Sequence, residues 1–143
     1  ISACLVGSEM CIRDRIATED GPLRMQVTHH TGSSSVSAAG LYESDSFIEL
    51  PGRTLPSLMS ELGDERAELL KLDIEGAEYD VMETLDLRSL GVQIFATQLH
   101  HAGTVARARA LIDRLRQSGY VPVACVPAVK MTFVAQELLG EAA

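Results

Sequence analysis

Tryptophan is absent from this 143-residue chain, and aromatic residues make up only 4% of it. The core must therefore rest on Leu, Val, Ile, Met and Ala. Basic residues are also in deficit, with twelve Lys and Arg against twenty Asp and Glu and a formal net charge of −8. That balance argues against nonspecific nucleic-acid binding, which needs a basic surface. It argues equally against a polybasic membrane anchor. No apolar run approaches the ~18 residues of a membrane-spanning helix. The cysteines are Cys4, Cys11 and Cys125, an odd number with no CxxC. Neither a zinc site nor a disulfide framework is suggested, and reduced thiols in a cytoplasmic setting are expected. Cys125 lies in an apolar strand-like run, where a small buried hydrophobe is the expected role. The chain also has no GxGxxG.

What is present is enough for one domain: 46% apolar and 22% charged residues, with a single core. Ile1 to Arg15, ISACLVGSEMCIRDR, stand apart. They show no period that continues downstream, and they resemble a translated sequencing-adapter read-through. Residues 1–15 are therefore expected to be non-native, and 16–143 to be the domain proper, its gene continuing upstream of Ile16.

Glu19-Asp20-Gly21-Pro22 has strong turn chemistry. Leu23 to Thr28 alternates as a half-buried strand. His29 to Gly40 reads as a Ser-rich loop, where His29 and His30 are weak candidates. Phe47 to Leu50 is a short strand. Thr54 as N-cap, Pro56 in the first turn and Gly63 at the stop predict a helix, with Leu55, Leu58, Met59 and Leu62 on one face. Leu69 to Ile74 is a strand, Ala77 to Leu85 a helix, and Val92 to Leu99 a second strand. Thr104 opens an amphipathic helix ending at Gly119. Its apolar stripe is Val105, Ala108, Leu111, Ile112 and Leu115, with Arg107, Arg109, Arg114 and Arg116 mostly solvated. Strands at Tyr120 to Val126 and Met131 to Gln136 close the chain, joined by a turn at Pro127 and Ala128. The expected fold is α/β, a mostly parallel sheet with a C-terminal antiparallel hairpin strand.

Function points to one stretch, LLKLDIEGAEYDVMETL, residues 69–85. Ligands of open α/β sheets bind outside the carboxyl ends of strands, and Asp73 is at such an end. Asp73 and Glu75 fall on one side of the extended chain, and Gly76 permits a tight turn. A carboxylate closing a buried apolar strand needs a partner or a function. Lys71 is a candidate for charge balance. Glu78 sits in the first helical turn, where an acid is ordinarily a dipole partner. The next strand ends in His100 and His101, and a neighbouring parallel strand would present one of them beside Asp73. A carboxylate–histidine pair is only part of a divalent-metal set, so no metal is assigned.

The core Leu70-Lys71-Leu72-Asp73-Ile74-Glu75-Gly76-Ala77-Glu78 resembles the signature segment of the FkbM family of S-adenosylmethionine-dependent methyltransferases. The Gly32 to Ser35 loop and the segment Ile48 to Leu62 agree with it. The resemblance implies a partial Rossmann-like methyltransferase sheet and S-adenosylmethionine as cofactor. It places Asp73 and Glu75 at the active-site end of the fourth strand and His100 at the end of the fifth. The acceptor would be a small-molecule, sugar or lipid-linked hydroxyl. The family's Gly-rich cofactor loop and acidic ribose-binding residue lie on its first two strands. Val6-Gly7-Ser8-Glu9 does not supply them, so the chain resembles the C-terminal portion of such an enzyme. The alternatives are a non-catalytic α/β binding module, a phosphoryl-transfer hydrolase and a calcium loop. The hydrolase lacks its second aspartate, and the loop lacks its glycine at the required position.

Overall fold

The computed structural model describes residues 15–26, 47–74, 76–99, 104–126 and 130–140. In chain order these form β1 (Arg15–Ile16), β2 (Gly21–Gln26), β3 (Phe47–Arg53), α1 (Leu55–Leu62), β4 (Leu69–Leu72), α2 (Glu78–Thr84), β5 (Ile94–Gln98), α3 (Val105–Gln117), β6 (Tyr120–Val126) and β7 (Lys130–Ala135). A short 3-10 turn, Gln136–Leu139, follows. The His29–Gly40 loop and the Pro127–Ala128 turn lie outside the described residues.

The strands form two sheets. The larger has the order β4-β5-β7-β6, and the smaller β1-β3-β2. The larger sheet is mixed, not mostly parallel. Only the β4–β5 ladder is parallel, while β5–β7 and β6–β7 are antiparallel. The cause is chain length. A parallel return needs a crossover of about a dozen residues or more. Only residues 127–129 separate β6 from β7, so β7 runs back antiparallel and inserts between β5 and β6.

The second sheet was not expected as a separate unit. In it β3 pairs parallel with β1 and antiparallel with β2. Gly52 makes the packing possible: a Cβ there would lie 3.1 Å from Cβ of Ala17 and 3.2 Å from Cβ of Leu23. Asp20 ties this sheet to α1. Its carboxylate accepts from the Thr54 backbone N–H at 2.7 Å and from the Ser57 hydroxyl at 2.6 Å. Thr54 caps α1 as expected, accepting from the Ser57 N–H.

Alternation on the larger sheet separates two faces. Leu70 and Leu72 of β4, Phe95 of β5 and Phe133 of β7 are buried together with Leu55, Leu58 and Met59 of α1, Val81 and Met82 of α2, and Leu111 and Leu115 of α3. The other face carries Leu69, Lys71, Ile94, Ala96 and Thr132, all partly or largely exposed. Tyr120 anchors the sheet end through a buried hydroxyl that donates to the Val92 carbonyl at 2.6 Å.

Several side chains depart from the periodic expectation. Leu62 is exposed because it lies in the last turn of α1, and Val105, 88% exposed, opens α3 beyond the core. Cys125 is exposed rather than buried, because β6 is the outer strand and its last four residues are all exposed. Arg107 is not merely solvated. It pairs with Asp80 and Glu83 of α2 and lies 5.3 Å from the Tyr79 ring centroid, fastening α3 to α2. Among the described residues no helix is long and apolar enough to cross a membrane.

Candidate active site

Asp73 follows directly on β4, at the carboxyl end of a strand that among the described residues has a paired neighbour on only one side. Leu72 pairs with Thr97, so Asp73 falls beside Gln98 at the matching end of β5. Its side chain is 29% exposed. Lys71, two residues back and on the same face, donates from Nζ to Oδ2 of Asp73 at 3.0 Å. The contact left open by alternation alone is therefore made. Of the other expected site residues, Glu75 and His100 lie outside the described residues, as do His101, His29 and His30.

The turn after Asp73 is built from within. Gly76 has φ 105°, a conformation that side chains resist. Glu78, the first residue of α2, is fully buried. Its Oε1 accepts from the Ile74 N–H and its Oε2 from the Gly76 N–H, both at 2.8 Å. The expectation of a dipole partner was too modest. The carboxylate folds back beneath the turn, satisfying two backbone donors on either side of position 75, and fixes the exit of β4. A capping signal was visible in the sequence, but burial of the whole carboxylate was not.

Thr97 adds a feature that the sequence did not flag. It is 5% exposed, and its Oγ1 has no hydrogen-bond partner among the described residues. It lies on the buried face, across the sheet plane from Asp73. A buried hydroxyl without a partner is costly and uncommon.

The methyltransferase FkbM domain model matches residues 13–122. The chain belongs to the FkbM methyltransferase family. The match covers β1 through the start of β6, and so includes the Asp73 edge. AMB antimetabolite synthetase AmbE of Pseudomonas aeruginosa is 40% identical over 72 residues, 48% of this chain and 3% of that protein. The chain therefore spans only a small part of the length of that relative. No solved structure matches the chain.

Within this FkbM-family chain the edge offers one acid held by a lysine, an amide beside it, and a rigid turn. A carboxylate so placed can accept a proton or a hydroxyl hydrogen bond from a bound molecule. The Ile74 and Gly76 N–H groups are not open to a ligand, since Glu78 occupies both.

Proposed function

We propose that residues 16–143 form the C-terminal part of a Rossmann-like, S-adenosylmethionine-dependent O-methyltransferase. The acceptor is a hydroxyl of a small molecule, a sugar or a lipid-linked carrier. The observation that carries this is the placement of Asp73, partly exposed at the carboxyl end of β4 beside a turn locked by Glu78.

The described residues do not fit the methyl donor. Their positive-φ glycines occur singly, at 21, 63, 76, 91, 119 and 140. The turn at the end of β4 has its N–H groups of Ile74 and Gly76 occupied. The described residues form no cradle for an adenosyl group.

On the acceptor side, Asp73 holds the hydroxyl and takes its proton, a role worth ~10²–10⁴-fold in rate. Glu75 orients the acceptor or shapes the turn. His100 is the second candidate for the base, at the end of the neighbouring strand. Fixing the acceptor in line contributes up to ~7–11 kcal/mol in favourable cases. Lys71 holds the Asp73 carboxylate along the sheet face.

The Lys71–Asp73 pair also favours a second reading, a non-catalytic module in which Asp73 is only a charge partner. The two readings separate on Asp73→Asn in the product of the complete gene. Loss of S-adenosylhomocysteine formation with unchanged folding supports the catalytic role, and full activity removes Asp73 from the mechanism.

A further inference from the structure

The chain contains only two lysines, Lys71 and Lys130, and both fall on the larger sheet. Strand registers put them on the same face. Lys71 pairs with Ala96, and Ala96 with Thr132. Gln98 pairs with Lys130, and Asp73 stands beside Gln98. Two rows thus cross the open face near the carboxyl end of β4, Lys71–Ala96–Thr132 and Asp73–Gln98–Lys130. Paired residues of adjacent strands share a face, which makes Lys71–Ala96–Thr132 and Gln98–Lys130 lines of neighbouring side chains, and Asp73 continues the second line one residue past the end of the β4–β5 ladder.

The two lysines differ in their partners. Lys71 is bound to Asp73 at 3.0 Å. Lys130 is exposed and makes no ion pair or side-chain hydrogen bond among the described residues. In a chain of net charge −8, Lys130 is a cation without an acidic partner among the described residues, and it stands in line with the candidate base. The floor beside the row is low, since Ala96 and Thr132 are small. Asp73 and Lys130 are separated by two strand spacings, on the order of 10 Å, which matches the length of a small metabolite.

We propose that the acceptor carries an oxyanion, a carboxylate or a phosphate, which Lys130 receives while Gln98 and Asp73 engage the hydroxyl end. The proposal rests on the methyltransferase reading for the identity of the reacting end, but not for the anion site itself. Lys130 is a specificity residue and takes no part in the chemistry. It selects anionic hydroxyl compounds over neutral sugars by charge pairing across an otherwise acidic protein.

The test uses the whole chain with its lysines reductively ¹³C-dimethylated, a modification that keeps their charge. Two ε-amine signals report the two sites. Inorganic phosphate and, separately, acetate are titrated at constant ionic strength, with backbone amide spectra of the unmodified protein in parallel. The expected result is a saturable shift of the Lys130 signal and of the Gln98 and Thr132 amides, with little movement at Lys71. A larger response to phosphate or to acetate identifies which oxyanion is preferred. Lys130→Gln should weaken the amide response roughly tenfold, as loss of one charge-assisted contact implies.

Shifts no larger than those from equimolar chloride overturn the proposal. So does a neutral sugar that moves the Gln98 and Thr132 amides when neither anion does. A saturable anion site without methyl transfer would leave this inference standing and remove the methyltransferase reading. Transfer to neutral acceptors alone would do the reverse.

Discussion

Glu78→Ala should destabilise this protein more than almost any other single change at an acidic residue. The side chain is fully buried, and its two oxygens hold the Ile74 and Gly76 N–H groups at 2.8 Å each. A hydrogen bond to a charged group contributes ~1.5–3 kcal/mol, and a buried donor left without a partner costs ~1–3 kcal/mol. Both bonds share one carboxylate, so the effects do not add fully, and the loss for Glu78→Ala is about 3–5 kcal/mol. Domains of this size unfold with ~5–15 kcal/mol, so roughly a fifth or more of the stability is at stake. The melting temperature should fall by roughly 10–15 °C, from the entropy of unfolding of a chain this long. Glu78→Gln keeps one acceptor oxygen but turns an amide N–H against the second donor, and should lose about 2–3 kcal/mol. Urea unfolding followed by circular dichroism measures both. Amide exchange at Ile74 and Gly76 gives the local readout, with protection lost in each variant. A Glu78→Ala protein within ~0.5 kcal/mol of the parent, the range of ordinary surface changes, would refute the capping argument. So would retained protection at both amides.

Other expectations concern single features. Thr97→Val removes a buried hydroxyl that has no partner among the described residues, and should stabilise the fold by about 1 kcal/mol. A loss of stability in the same urea assay would show that the hydroxyl is satisfied in solution. Arg107→Met should cost about 1 kcal/mol at low ionic strength and less in 1 M salt, because the α2–α3 fastening is a partly exposed charge network. Equal losses at both salt concentrations would assign its role to packing on Tyr79. For Asp20, the Ser57 hydroxyl first and the Thr54 N–H second hold the carboxyl below its ordinary value of 3.8. A depressed folded-state pKa gives stability that is present above the unfolded value and lost as pH falls through the folded one. Asp20→Asn should therefore flatten the acid limb of the stability curve below pH 3.8 and leave its shape near neutrality unchanged. An unaltered acid limb would count against it.

The helices and strands from Leu55 onward were legible because caps and periodicity agreed with each other. Thr54, Gly63 and Thr104 marked boundaries that the fold uses. Alternation in LLKL was reproduced as an exposed–buried pattern along β4. What escaped the sequence was non-local. The separate β1-β3-β2 sheet depends on Gly52 approaching Ala17 and Leu23, a contact across 35 and 29 positions that no local pattern encodes. Exposure of Cys125 follows from β6 being the outer strand, which strand order decides and apolar composition does not. The mixed character of the sheet was implicit in the short link at residues 127–129, but its weight relative to the single parallel ladder depended on where β7 inserts. At the site, Asp73 was legible from its place at a strand end. Its contact with Lys71 and the burial of Glu78 required side-chain geometry. Lys130 was unremarkable until register set it in line with Gln98.

The central claim is that the β4 edge carries the chemistry of a methyltransferase. Its most direct test is S-adenosylhomocysteine formation from S-adenosylmethionine by the protein, with a panel of hydroxylated sugars, hydroxy acids and phosphorylated hydroxy acids. The Asp73→Asn variant is compared at matched folding by circular dichroism. At least one acceptor should be turned over, and Asp73→Asn should slow this by ~10²–10⁴-fold, the range for loss of a positioned base. Turnover of the same acceptor at the parental rate by Asp73→Asn would contradict it.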